Sequence, residues 1–133
     1  MPTLFSKIIT GEIKAHVVAE DAKHLAFLDI NPLVAGHTLV IPKLEVDYLF
    51  DLTEEQLADL MIFAKRVAVA IKKAVPCKKI GVSVIGLEVA HAHIHLIPMN
   101  LVSDMNFSKT KLSPSAAELM EVAENISKIF KPV

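Results

Sequence analysis

The chain has no tryptophan, one tyrosine, one cysteine and four glycines among its 133 residues, and each shortage removes a class of explanation. With Cys77 alone and no CxxC partner, neither a redox pair nor a cysteine zinc site can be built. Cys77, beside Pro76, Lys78 and Lys79, reads as a loop or strand-edge residue, and a reducing cytoplasm is the expected compartment. Scarce aromatics, a net charge of −1 and the lack of a basic stripe argue against a nucleic-acid surface. No apolar run approaches the roughly eighteen residues of a membrane span. Met1 to Thr10 lacks the basic-then-apolar layout of a signal peptide, so neither a membrane nor an export route is expected. The pairs Lys72-Lys73 and Lys78-Lys79 fit helix C-terminal charge better than a ligand site.

Apolar residues, by contrast, are plentiful. A hydrophobic content of 53% and a mean hydropathy of +0.47 are high for a small soluble domain, and the surplus is expected to cover a subunit interface. The length suits one domain over residues 1–133, with a C-terminal loop and helix from about 99 to 133.

The pattern predicts a short helical turn within Leu4 to Ile13, broken near Gly11, then strands at Val17 to Ala19, Leu25 to Leu28 and Thr38 to Ile41, the last ended by Pro42. Asp29-Ile30-Asn31-Pro32 is a turn cluster, and Gly36 before His37 permits an unusual backbone angle or a close ligand approach. Thr53 to Val75 is the main helix, with Thr53 and Gln56 as a capping box and Pro76 as its stop. Leu57, Leu60, Met61, Ala64, Val67, Ala68, Ile71 and Ala74 form its expected core stripe. Ile62 and Val69 fall on the opposite, charged side, where they hint at a partner helix. A further strand is expected at Ile80 to Ile85, a turn at Gly86, and antiparallel pairing between adjacent short runs. Met99 to Leu112 is a polar, irregular connection, after which Ser113-Pro114 should start a last helix carrying Leu119, Val122, Ala123, Ile126, Ile129 and Phe130.

The densest chemistry lies at His91-Ala92-His93-Ile94-His95-Leu96-Ile97-Pro98. Strict alternation is the period of a β-strand, which would place three imidazoles on one face and Ala92, Ile94 and Leu96 on the other. With six histidines in the chain, composition alone would produce about 0.01 such triplets, so accident is a poor explanation. Two chemistries want this spacing. HxH on a strand can converge on zinc if a third ligand such as His37, Asp29 or Glu88 approaches. Alternatively one imidazole attacks phosphorus while its neighbours hold phosphate oxygens and help the leaving group depart. Spacing does not choose between them.

The wider pattern does. Phe5 to Ile13, Ala26 to Pro32, Gly36-His37-Thr38-Leu39-Val40-Ile41-Pro42-Lys43, Gly86 and the histidine stretch at 91–97 together closely resemble the histidine-triad (HIT) superfamily of nucleotide hydrolases and transferases. The resemblance implies an α+β fold: an antiparallel sheet of about five strands with one long central helix and a C-terminal helix, commonly extended across a homodimer in the Hint-like branch. It implies His93 as the nucleophile toward an α-phosphate, flanked by His91 and His95, with His37 as a supporting fourth histidine. Asp29 matches the carboxylate that binds ribose hydroxyls, and Phe27, Leu28, Ile30, Phe5, Ile9 and Ile13 match an apolar base pocket.

This chain departs from the family pattern before the triad. Leu87 stands where glutamine is usual, the preceding loop is shortened to Val84-Ile85-Gly86, and Glu88 takes a place where serine or threonine can contact phosphate. A carboxylate there would repel the anion unless it points away, and backbone amides near Val89 could substitute. The resemblance implies a hydrolase of nucleoside 5′-phosphoramidates or related nucleoside monophosphate derivatives. It acts on a purine nucleotide through a nucleotidyl-histidine, with no metal and no cofactor. The alternatives are a dinucleoside polyphosphate hydrolase of the Fhit-like kind and a non-catalytic nucleotide-binding module.

Overall fold

A computed structural model of the chain describes residues 2–130; Met1 and the last three residues of the expected C-terminal segment lie outside the described residues. The elements run α1 (Leu4–Ile9), β1 (Val17–Glu20), β2 (His24–Leu28), β3 (Thr38–Pro42), α2 (Glu54–Ala74), β4 (Lys79–Ser83), β5 (Ile94–Met99) and α3 (Ala116–Ile129). Single 3-10 turns occur at Leu49–Asp51 and Val102–Met105. The strands form one sheet in the order β1-β2-β3-β5-β4, and every neighbouring pair is antiparallel. This is the α+β architecture with five strands that the sequence implied. Among the described residues no helix is long and apolar enough to cross a membrane.

Each face of the sheet has its own cover, which is why β2 and β3 are buried along their whole length. Ala26, Leu28, Val40, Ile94 and Leu96 pack with α2 and α3 in the main core. On the other face Leu25, Phe27, Leu39 and Ile41 join Phe5 of α1 in a smaller cluster. The strand register carries this two-sidedness across the sheet: Phe27 pairs with Leu39, and Leu39 with His95.

Local signals explain the helix ends. The Thr53 hydroxyl accepts from the Gln56 backbone amide at 3.1 Å, and Gln56 Oε1 accepts from the Thr53 backbone amide at 2.9 Å, the expected capping box. Helix α3 starts later than Ser113-Pro114 suggested. Ser115 is its N-cap and bonds reciprocally with Glu118, leaving Pro114 outside the first turn. A capping pair satisfies amides that proline only avoids presenting, so the serine sets the boundary. The buried stripe of α2 is also rotated: Phe63 and Ala70 are buried, whereas Met61 is 42% exposed. Phe63 is drawn in by tertiary partners, stacking on His24 at 5.0 Å and meeting Phe130 edge-on at 5.7 Å.

Two strand boundaries differ in ways that shape the site. β4 ends at Ser83, so Val84 and Ile85 belong to the connection that follows. β5 begins only at Ile94, leaving His91 and His93 in a segment before the strand. That segment is held by single bonds, the Ala92 amide donating to the Val46 carbonyl at 2.6 Å, instead of by a ladder. The register between β3 and β5 explains the boundary, since its last pair is Val40 with Ile94.

Candidate active site

A cavity of about 560 Å³ opens on the face opposite α2, bounded by α1, the β2–β3 hairpin, the turn at Gly86 and the segment after β5. Phe5, Ile13, Phe27, Leu28 and Ile30 line it, with Phe5 and Phe27 buried edge-to-face at 5.4 Å and Ile30 exposed at the mouth. Asp29, His37, His93 and His95 supply its polar wall, and Gly86, Glu88 and Val89 its near edge. Two expected members are missing. Ile9 packs against the small cluster around Phe5 and does not line the cavity. His91 is fully buried beside it.

The hairpin accounts for one pair of side chains. Leu28 faces Thr38 at the end of the β2–β3 ladder, and the next amide, that of Asp29, donates to the His37 carbonyl at 3.0 Å. Asp29 Oδ2 then lies 3.8 Å from His37 Nε2, while Oδ1 accepts from the Asn31 amide at 2.9 Å. Gly36 permits the approach by adopting φ +90°, and a Cβ there would meet Val75 Cγ2 at 3.0 Å and Pro98 Cγ at 3.1 Å. His95, brought in by β5, completes the group.

Backbone groups that can play only one role set the protons on the imidazoles. The Leu33 amide donates to His37 Nδ1 at 3.1 Å, so a neutral His37 carries its proton on Nε2. That proton is donated to His95 Nδ1 at 2.9 Å, which leaves His95 with N–H at Nε2. His93 Nδ1 donates to the His91 carbonyl at 2.7 Å, leaving a lone pair on Nε2. Both nitrogens of His91 have partners: Nε2 donates to the Pro42 carbonyl at 2.8 Å, and Nδ1 receives the Thr3 hydroxyl at 3.1 Å. These bonds tie α1 and the end of β3 to the triad segment. No described buried side-chain polar atom lacks a partner, so the unbonded Nε2 atoms of His93 and His95 are reached from the cavity.

Burial holds the supporting rings neutral. His37 is pushed down to about 4 by loss of hydration, with the Lys111 ammonium adding to the effect. His95 is pushed down to about 4, again chiefly by burial and then by His37 and His93. His91 is lowered by burial, opposed by its bond to Pro42. The rings stand close, with His93 and His95 centroids 5.0 Å apart and Phe5 edge-on to His93 at 5.0 Å. The result is a lone pair and a fixed N–H side by side in a partly apolar cleft. Such a pair suits attack on an electrophile whose oxygens or leaving group accept a hydrogen bond.

A family model described as the HIT domain matches residues 10–101, a span that includes all of these histidines. The chain belongs to the HIT family. A crystal structure of a HIT-like protein involved in cell-cycle regulation from Bartonella henselae superposes with a TM-score of 0.81 at 32% identity, covering 96% of this chain and 95% of that one. The adenosine 5′-monophosphoramidase of Saccharomyces cerevisiae is 41% identical over 71% of this chain and 61% of its own length. An uncharacterized HIT-like protein of Methanocaldococcus jannaschii is 40% identical over 71% of this chain and 77% of its own. Relatives of this HIT protein are thus named as hydrolases.

Against the HIT pattern, the departures sit at the rim. Leu87 is 88% exposed at the cavity edge, and Glu88 beside it is also exposed. Asp29, His37 and His95 bring one ligand atom each within 4.8 Å, a donor set of a kind that could hold a divalent ion. Sequence reasoning missed several contributors. Thr3 both caps α1 and engages His91, a role with no local signal beyond an N-cap pattern. Lys14, Phe107 and Lys111 also line the cavity. The sequence marked Met99 to Leu112 as a polar, irregular connection and gave no sign of which of its residues reach the cavity.

Proposed function

We propose that this HIT protein is a nucleotidyl hydrolase that cleaves nucleoside 5′-phosphoramidates and related purine nucleoside monophosphate derivatives. The observation that carries the reading is His93, tied at Nδ1 to a backbone carbonyl and free at Nε2 toward the cavity. Attack by Nε2 on the α-phosphorus forms a phosphorus–nitrogen bond to His93 and breaks the bond to the leaving amine. Hydrolysis of the His93 adduct then releases the nucleoside monophosphate; over the cycle one water supplies both the amine's proton and the product's oxygen. His95 Nε2–H is the donor available to a phosphoryl oxygen or the leaving nitrogen, and His37 holds it in that tautomer. Phe5 and Phe27 offer an apolar floor for the base, and Asp29 a bidentate acceptor for the ribose diol.

The same reading makes the reaction metal-independent. In this reading His37 Nε2 and His95 Nδ1, 2.9 Å apart, serve each other as hydrogen-bond partners and not as ligands to an ion, and turnover should survive chelator treatment. The compartment proposed with it is the cytoplasm, a reading supported by cysteine usage, since Cys77 is a lone thiol.

Acid-labile adducts are the decisive test. The enzyme is quenched during turnover of AMP-amide and mapped by mass spectrometry in wild type, His93→Ala and His95→Ala, with AMP affinity measured separately. His93→Ala should lose the adduct and at least about 10² in rate while still binding AMP. An adduct on another residue, or near-normal turnover in His93→Ala, would overturn the mechanism. AMP binding without turnover in the wild type would instead establish a non-catalytic nucleotide-binding module.

A further inference from the structure

The segment between β5 and α3 folds back over the histidines. Asp104 Oδ2 accepts from the amides of Asn100 and Leu101 at 2.8 and 2.9 Å, closing the Val102–Met105 turn. At its far end the Leu112 amide donates to the Pro32 carbonyl at 2.9 Å, pinning the segment to the β2–β3 hairpin. Between these anchors Phe107 packs edge-on against His95 at 4.9 Å and against His37 at 6.3 Å. The segment is therefore a wall of the cavity.

Its two lysines have different fates. Lys109 Nζ lies 3.9 Å from Asp104 Oδ1, so its charge is matched within the segment. Lys111 lines the cavity with His37, His93, His95 and Asp29, and among the described residues it has no carboxylate within salt-bridge distance. Around it Asp29 and Glu88 are carboxylates and His37 and His95 are held neutral by burial; the cavity's other lysine, Lys14, comes from the α1–β1 connection, and of the two it is Lys111 whose charge acts on His37 and His95. A phosphate entering this cleft needs a cation.

We infer that Lys111 is that cation, the phosphate-binding residue of the nucleotide site. This rests on the nucleotide reading above and adds the group that recognises the charged part of the substrate. The ligand class is a nucleoside carrying an anionic 5′-phosphoryl group, and a nucleoside without it should not benefit from Lys111. Phe107 acts as a positioning residue that holds the segment, and Lys111 with it, against His95.

The test separates phosphate contact from loop integrity. Affinities for AMP and adenosine, and for GMP and guanosine, are measured by calorimetry in wild type, Lys111→Met, Lys111→Arg and Lys109→Met. Lys111→Met should weaken the monophosphates about 10- to 100-fold, leave the nucleosides unchanged and flatten the salt dependence. Lys111→Arg should restore most of the loss, and Lys109→Met should bind like wild type. Equal weakening of nucleoside and nucleotide, or no weakening of either, would overturn the inference while wild-type AMP binding keeps the nucleotide reading intact. A wild type that binds neither nucleotide overturns both.

Discussion

Two imidazoles of this site are buried neutral and joined by one proton, and that arrangement has a pH signature. His37 and His95 titrate near 4 in the folded chain against an ordinary 6.5. Between those values the unfolded chain binds more protons than the native one, so stability rises with pH across the window and is lost as pH falls from 6.5 toward 4. Protonation also turns His37 Nδ1 and His95 Nδ1 into donors, facing the Leu33 amide and the His37 N–H, and thereby breaks the relay. Urea unfolding at intervals from pH 4.5 to 7.5 should show this slope, and His37→Asn should reduce it. A flat profile in the wild type would refute the neutral pair. His91, also buried, has both ring nitrogens engaged, by the Pro42 carbonyl and the Thr3 hydroxyl.

Among the elements, the β2–β3 hairpin does most to build the site. It carries Asp29 and His37 at its closed end and fixes them by one backbone bond. Its weak point is Gly36, at φ +90° with side-chain carbons of Val75 and Pro98 about one contact away from any added Cβ. Gly36→Ala should cost about 1–3 kcal/mol, from the left-handed backbone and the need to displace helix α2's end or β5. Because His37 follows immediately, turnover of AMP-amide should fall as well. Equilibrium unfolding and steady-state kinetics check the two effects, and an unchanged stability would mean that the hairpin end relaxes freely. Helix boundaries were legible in advance where capping chemistry is local, as at Thr53 and Gln56. The stripe of α2 was less so, since Phe63 is buried by His24 and Phe130, which arrive from distant parts of the chain.

At the scale of the whole molecule, α2 offers a surface that a lone chain does not use. Ile62 and Val69 are 50% and 47% exposed, and with Ile129 and Phe130 they line a groove of about 710 Å³ that contains no triad residue. Lys65, Arg66, Lys73 and Lys128 also line it. The helix is acidic in its first half, at Glu54, Glu55 and Asp59, and basic in its second, at Lys65, Arg66, Lys72 and Lys73. Antiparallel pairing of two copies about a two-fold axis would set acidic against basic halves, with Ile62 of each copy near Val69 of the other. The protein should therefore be a homodimer at micromolar concentration, converted to monomer by Ile62→Glu with Val69→Glu. Light scattering decides it, and a monomeric wild type would remove the assignment.

Sequence alone determined the family and the order of elements, through motif spacing, local periodicity and caps, which any short stretch of chain expresses by itself. The resemblance pointed to His93, His95, His37 and Asp29, and the structure brings these four to one cavity. Their roles were another matter. That His91 holds the Pro42 carbonyl, that His37 and His95, 58 positions apart, share one proton, and that Phe107 and Lys111 close the cavity all depend on which backbone groups meet across the sheet. The alternation of His91, His93 and His95 suggested three rings on one strand face. In the structure β5 begins only at Ile94, and the three rings have different partners: His91 meets Pro42 and Thr3, His93 the His91 carbonyl, and His95 the ring of His37. Side-chain spacing is encoded along the chain, whereas the protons on imidazoles are set by partners that folding brings together.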